Sequence, residues 1–234
     1  MQQRSSISTF LLAWLPLGCS LLNAAPITRQ SISLFVALGD YSVNLEKPLG
    51  IILEERGTEN SGVQVKEIVK GGAAESTRMV PGDVLLQVNE IDVTTYDFDS
   101  VMDLLISTDG SIDLTLGDGL GQMDMPKNVL NFLTSTEDAF FVDAVVREAV
   151  RECRQRSRKL GDLLQVEVII GAGVRDSRGQ VRFFAIFSTD GVSTYSCNMS
   201  ATGVRQNDES IRIVALSCAK DEGLGQTLEL IRED

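Results

Sequence analysis

No histidine occurs among the 234 residues, which excludes serine–histidine and cysteine–histidine nucleophiles, imidazole general bases and imidazole metal sites. What remains for chemistry is four cysteines (Cys19, Cys153, Cys197 and Cys218), the string Ser217-Cys218-Ala219-Lys220, and a large set of acids. The cysteines show no C-x-x-C spacing and no clustering along the chain, so neither a structural zinc nor an iron–sulfur site is expected. If Cys19 leaves with a targeting segment three cysteines remain, an odd number that argues against a disulfide scaffold, though Cys197 and Cys218 could lie on neighbouring strands. Cys153 falls on an apolar helical flank, where a thiol is a small buried hydrophobe. S-x-x-K chemistry needs a helix to bring the lysine beside the serine, and Ser217 ends a strand. Asp97 and Asp99 lie among many surface acids. Gly171-x-Gly173 opens no helix and reads as a turn, not a dinucleotide loop. Asn198-Met199-Ser200 spells a glycosylation sequon within or at the end of a strand. No catalytic residue, cofactor or metal is expected. The chemistry left is that of binding.

Charge narrows the partners. The net charge is −12, held mostly by residues 41–118, where 15 acids face five bases, while residues 119–234 carry 17 acids and 14 bases. A nucleic-acid binder shows a basic footprint, and this is the reverse. At roughly 100–150 residues per domain, the length allows one large domain or two small ones.

Residues 1–40 read as a targeting segment and linker. Arg4 precedes an apolar run from Phe10 to Leu22, interrupted by Pro16 and Gly18, too short for a comfortable ~20-residue span and suited to a cleavable signal. Asn23-Ala24-Ala25 offers small residues for cleavage. The hydroxylated stretch Thr28 to Ser33 suits a second targeting step, as in organelles of layered membranes.

From residue 41 the periods become regular. Tyr41, Val43 and Leu45 alternate with polar residues as in a half-buried strand. Ile51-Ile52-Leu53, Val63 to Val69, Val84 to Val88, and Ile112, Leu114 and Leu116 form further strands. Pro81-Gly82-Asp83 and Asn89-Glu90 mark turns. Ala73 to Thr77 reads as one helical turn, and Asp99 to Ile106 places Val101, Met102, Leu104 and Leu105 on one helical flank.

Lys47-Pro48-Leu49-Gly50-Ile51-Ile52, Gly71-Gly72-Ala73-Ala74 and Met79-Val80-Pro81-Gly82-Asp83-Val84-Leu85-Leu86-Gln87-Val88-Asn89 together resemble a PDZ domain over residues 41–118. The opening Leu45-Glu46-Lys47-Pro48-Leu49-Gly50 is similar to PDZ domains of plastid, including algal, proteins. The resemblance implies a small β-barrel with two helices and a groove that takes a C-terminal peptide as an added strand. Peptide-binding positions would be Pro48, Leu49, Gly50, Ile51, Ile52 and Leu53 along the loop and edge, with Phe98, Met102 and Leu105 on the facing helix. Gly50 permits the close turn that presents N–H groups to a carboxylate, whereas Pro48 removes one donor. The position that is histidine in the commonest PDZ class falls at Phe98, which implies an apolar third-last ligand residue. Two plainer readings stand beside this: Gly50 as an ordinary turn glycine, and Phe98 with Met102 as core residues beside a groove that binds nothing.

Residues 119–234 resemble no family. Thr134 and Glu137 form a capping-box pattern opening a helix to about Lys159. Its end carries Arg151, Arg154, Arg156, Arg158 and Lys159, either an anionic contact or, more plainly, a complement to the helix dipole and to the acidic neighbour. Strands follow at 163–170, 181–187, 192–199, 211–217 and 227–231, with Asp190-Gly191 as a hairpin signal. Short connections require an antiparallel meander packed on the helix. The fold class is mixed α/β (α+β).

These observations lead to a non-enzymatic binding or scaffold protein that captures a partner's free, apolar C-terminus or an internal strand. Two alternatives stay open: a structural subunit of a stable, membrane-associated, photosynthetic complex with a vestigial groove, and an inactive substrate-presenting factor related to PDZ proteases. Peripheral membrane association is compatible with each. The plastid resemblance points to a chloroplast or other plastid, including the thylakoid, after loss of a transit peptide; secretion or periplasmic export is the alternative.

Overall fold

The computed structural model describes residues 39–57, 62–121, 123, 125–207, 210–220 and 227–233, with the side chains of 157, 158 and 220 left aside. The targeting reading of the amino terminus, Cys19 and the side chain of Arg158 therefore lie outside the described residues.

The first sheet is built from β1 (Tyr41–Leu45), β2 (Ile51–Glu55), β3 (Val63–Ile68), β4 (Val84–Val88), a two-residue β5 (Ile91–Asp92) and β6 (Ile112–Gly117). Their order is β1-β6-β4-β3-β2, with β5 on β4. Alternation places Val63, Val65, Val88, Ile112, Leu114 and Leu116 in the core. Asn89 and Glu90 both take positive φ between β4 and β5, the tight-hairpin conformation that short polar side chains tolerate best. Helix α1 (Phe98–Ser107) starts at Asp97, whose carboxylate accepts from Ser100 N at 2.8 Å.

The expected small β-barrel is not formed. β1 and β2 are the two edges of an open sheet. Closure would need β2 to pair across to β1, but among the described residues β1 pairs with β6 and β2 with β3 at opposite ends of the sheet, and α1 faces the other side of β2 across a cleft.

The second part begins with α2 (Lys127–Leu130), α3 (Thr136–Gln155) and α4 (Ser157–Leu160). The α3 cap is one residue later than the sequence pattern suggests: Ser135 Oγ accepts from Asp138 N at 3.1 Å, and Thr134 bonds Asp138 from outside. The helix breaks at Arg156, so the single helix expected to reach Lys159 is two.

β7 (Asp162–Arg175), β8 (Arg178–Ser188), β9 (Thr194–Arg205), β10 (Ile211–Lys220) and β11 (Thr227–Arg232) form an antiparallel meander in sequential order. β7 and β9 are longer than expected, because Gly171-Ala172-Gly173 and Ala201-Thr202-Gly203 stay inside strands. The real turn after β7 is Asp176-Ser177, both at positive φ. α3 covers one face of this sheet and buries Phe183, Phe187, Met199 and Leu216 against Val142, Val146 and Val150. A long helix on an antiparallel sheet is thus present.

One stripe of α3, Asp143, Arg147, Arg151 and Arg154 at helical spacing, is buried against the first sheet. Arg147 joins Asp118 and Asp143, each at 2.6 Å. Arg151 and Arg154 reach Asp83 at 3.5 Å, and Arg154 Nη1 donates to Asp118 O at 2.7 Å. Tyr41 donates its hydroxyl to Asp83, while Arg78 and Arg151 sit over its ring at 4.7 and 5.0 Å. Arg151 and Arg154 are therefore buried counter-charges to the acidic neighbour, the plainer of the two readings of the helix-end cluster.

Burial pushes Asp143 up to about 6 against the attraction of Arg147. Its Oδ1 is buried with no hydrogen-bond partner among the described residues. Arg147 is shifted the other way, toward the charged form, because two carboxylates hold it. Guanidinium does not lose its proton in a protein, so acidification changes this cluster through its carboxyls, Asp143 and also Asp83, which burial likewise pushes up.

Candidate functional site

Among the described residues β2 pairs with β3 on one side only, in register Ile51↔Ile68 and Ile52↔Glu67. Its other side is a sheet edge facing α1. Between them lies a cleft of about 810 Å³ lined by residues 47–53, Phe98, Met102, Leu105 and Ile106. All nine residues singled out from sequence (Pro48, Leu49, Gly50, Ile51, Ile52, Leu53, Phe98, Met102 and Leu105) border this one cleft. Phe98, Met102, Leu105 and Ile106 face it because spacings of four, seven and eight share one face of a helix.

The closed end is the 47–51 turn. The carbonyls of Pro48, Leu49 and Gly50 accept from the N–H groups of Ala73, Ala74 and Val69 at 3.2, 2.9 and 2.8 Å. In a planar trans peptide the next residue's N–H points opposite the carbonyl. The N–H groups of Leu49, Gly50 and Ile51 are therefore aimed away from the 69–74 segment, toward the cleft. Gly50 has φ +70°, and a Cβ there would run into the Gly72 Cα. The requirement for glycine is thus backbone packing between Gly50 and Gly72 as well as the turn itself, so Gly50→Val disturbs the fold along with the loop.

Lys47 and Ile106 are cleft residues that sequence reasoning missed. Lys47 Nζ donates to the carbonyls of Ile106 at 3.1 Å and Thr108 at 2.6 Å, tying the turn to the α1 C-terminus where helix carbonyls lack partners. The signal available was a lysine directly before the loop, uninformative until its partner sixty residues on is in place.

The other strings singled out do not assemble a reactive centre. Ser217 and Lys220 both belong to strand β10 and not to the helix that S-x-x-K chemistry needs. Cys153 is fully buried on α3 and its thiol is pushed up to about 12, mainly by burial. Among the described residues no group of three or more cysteine, aspartate or glutamate side chains is placed to hold a metal ion, and no helix is long and apolar enough to cross a membrane.

Residues 42–117 match the PDZ domain family. Solved structures similar to this part of the chain include the third PDZ domain of insect INAD in complex with a TRP channel tail, 29% identical over 33% of this chain and 84% of that one, TM-score 0.30. Two others are PDZ domains of the choanoflagellate Monosiga brevicollis Dlg1. Its PDZ3 is 26% identical over 34% of this chain and 87% of that chain, TM-score 0.31. Its PDZ2 is 21% identical over 33% and 90%, TM-score 0.31.

These relatives are insect and choanoflagellate domains, which overturns the affinity with plastid and algal proteins and the chloroplast, thylakoid and transit-peptide readings built on it. The physical reason is that Leu45 ends β1 and residues 46–50 form the turn into β2, where Gly50 is required by its approach to Gly72, so this string reports local geometry and not lineage.

Proposed function

We propose that this protein is a non-enzymatic binding or scaffold protein whose β2–α1 cleft captures the C-terminus of a partner by adding a strand to β2. One observation carries the reading: a free sheet edge faces an apolar helix flank across a cleft whose closed end is a turn with N–H groups aimed inward. Edge-strand hydrogen bonds supply affinity and alternate side-chain pockets supply specificity. The family match over residues 42–117 supports the same use.

A ligand strand antiparallel to β2 places its last side chain near Leu49, Ile51 and Leu105 and its third-last toward Phe98. Phe98 offers no hydrogen-bond partner, so the third-last residue is apolar. The subunit alternative would be favoured by a cleft covered by residues 119–133. Among the described residues the cleft is bordered by residues 47–53 and by Phe98, Met102, Leu105 and Ile106, which favours an open module. The apolar run Phe10 to Leu22 supports delivery by an amino-terminal targeting segment.

The test is titration calorimetry of the protein with a C-terminal peptide pool, in free-acid and amidated forms. Free acids should bind at least tenfold more tightly. Equal binding of the two forms overturns carboxylate capture.

A further inference from the structure

The three cysteines of the described residues, far apart in sequence, are brought together in one core. Cys197 on β9 and Cys218 on β10 are diagonal neighbours: Cys218 lies opposite Met199, and Cys197 opposite Lys220. Both side chains point to the buried face under α3, at 0% and 2% exposure, and their Sγ atoms are 2.7 Å apart. Cys153 approaches from α3, and the Cys218 thiol adds to the upward shift of its own.

We propose that Cys197 and Cys218 are an oxidisable pair that closes as a cross-strand disulfide, with Cys153 kept as a thiol. A low-molecular-weight disulfide such as oxidised glutathione is the oxidant. One cysteine, having lost its proton, attacks a glutathione sulfur; the glutathione S–S bond breaks and one glutathione leaves. The second cysteine, deprotonated in turn, attacks the protein sulfur of that mixed disulfide and the second glutathione leaves. Two protein thiols are oxidised, one glutathione disulfide is reduced, and the two protons end on the two glutathione thiols. Because neither sulfur faces solvent in the folded sheet, the exchange belongs to folding, before α3 seals the face. Cys153 stays out because it lies on α3, whereas pairing of β9 with β10 by itself brings Cys197 and Cys218 together before that helix docks. The bond would join two strands across the turn between β9 and β10, fixing the hairpin on which α3 packs. This proposal does not depend on peptide binding.

The experiment is to refold the full chain in a glutathione redox buffer and, in parallel, in excess reductant, then alkylate both samples under denaturing conditions. Intact mass should show two fewer labels in the oxidised sample, and peptide mapping should link Cys197 to Cys218. The oxidised protein should melt about 5 °C higher or more, and Cys197→Ala should erase the difference in label count even if it melts lower. Equal label counts in both samples, or a bond to Cys153 or Cys19 instead, overturns the proposal.

Discussion

The cleft between β2 and α1 and the seam between α3 and the first sheet are opposite solutions to the same backbone. At the cleft, a strand edge is left without a pairing strand and is flanked by apolar side chains, so its polar groups are available to an incoming chain. At the seam, three arginines and three aspartates are removed from water and must satisfy one another. An open edge can wait for a partner because water serves it meanwhile. A buried charge has no such reserve, and removing one partner strands the other. The difference teaches that the first sheet binds its permanent neighbour through charge and offers its exchangeable site through backbone. The two sites share no residue.

Breaking the seam has the largest expected effect. Arg147→Met leaves Asp118 and Asp143 without their shared guanidinium and should cost about 3–5 kcal/mol in urea unfolding. Peptide affinity of the protein that remains folded should stay within about twofold of wild type; a parallel loss of affinity would mean that the two regions are one unit energetically.

Gly50→Val comes next, because it strikes the cleft and the fold together. A β-branched residue at φ +70° against the Gly72 Cα should cost about 1–3 kcal/mol and remove peptide binding. If thermal melting shows no loss of stability, the Gly50–Gly72 packing is not what requires glycine.

Ligand choice sharpens the cleft side. Peptides ending Val-x-Val should outcompete those ending Thr-x-Val by around tenfold, since an unpartnered buried hydroxyl costs about 1–3 kcal/mol. Phe98→His should narrow or invert that ratio by supplying a partner. A wild-type preference for threonine would show that Phe98 does not face the third-last position.

The smallest effect is the pH dependence of the seam. Asp143 titrates near 6 in the folded protein against 3.8 in its ordinary state, so the native form binds the proton more tightly than the unfolded chain. That contribution is fully present below about pH 4 and is lost as pH rises through 6. Urea midpoints should correspond to about 1 kcal/mol more stability at pH 5 than at pH 7.5, and Asp143→Asn should flatten the portion centred near pH 6. Asp190 runs the other way: N–H groups of Val192 and Ser193 hold it down at about 2, so its stabilisation is lost only on deeper acidification. A stability rising monotonically from pH 5 to 7.5 would show that Arg147 outweighs burial at Asp143.

The local periods of this chain are legible in its amino-acid order alone. Alternation in Tyr41 to Leu45 and in Ile112 to Leu116, the glycine turn at Gly50, and the helical flank Phe98-Met102-Leu105 are short-range patterns. Their physical cause, side-chain direction along a strand or helix, acts within a few residues. The same holds for the buried flank Val142-Val146-Val150 and for Cys153. Tertiary structure alone decided four other matters. The sheet stays open because β1 pairs with the distant β6 and not with β2, which follows it directly in sequence. Lys47 finds its acceptors at Ile106 and Thr108. The arginines of α3 are buried because Asp83 and Asp118 arrive from a different sheet, and a stripe of cations at helical spacing looks the same whether it meets water or carboxylates. Cys197 and Cys218 meet because β9 and β10 pair in one register, and a shift by a single residue would turn the two sulfurs to opposite faces.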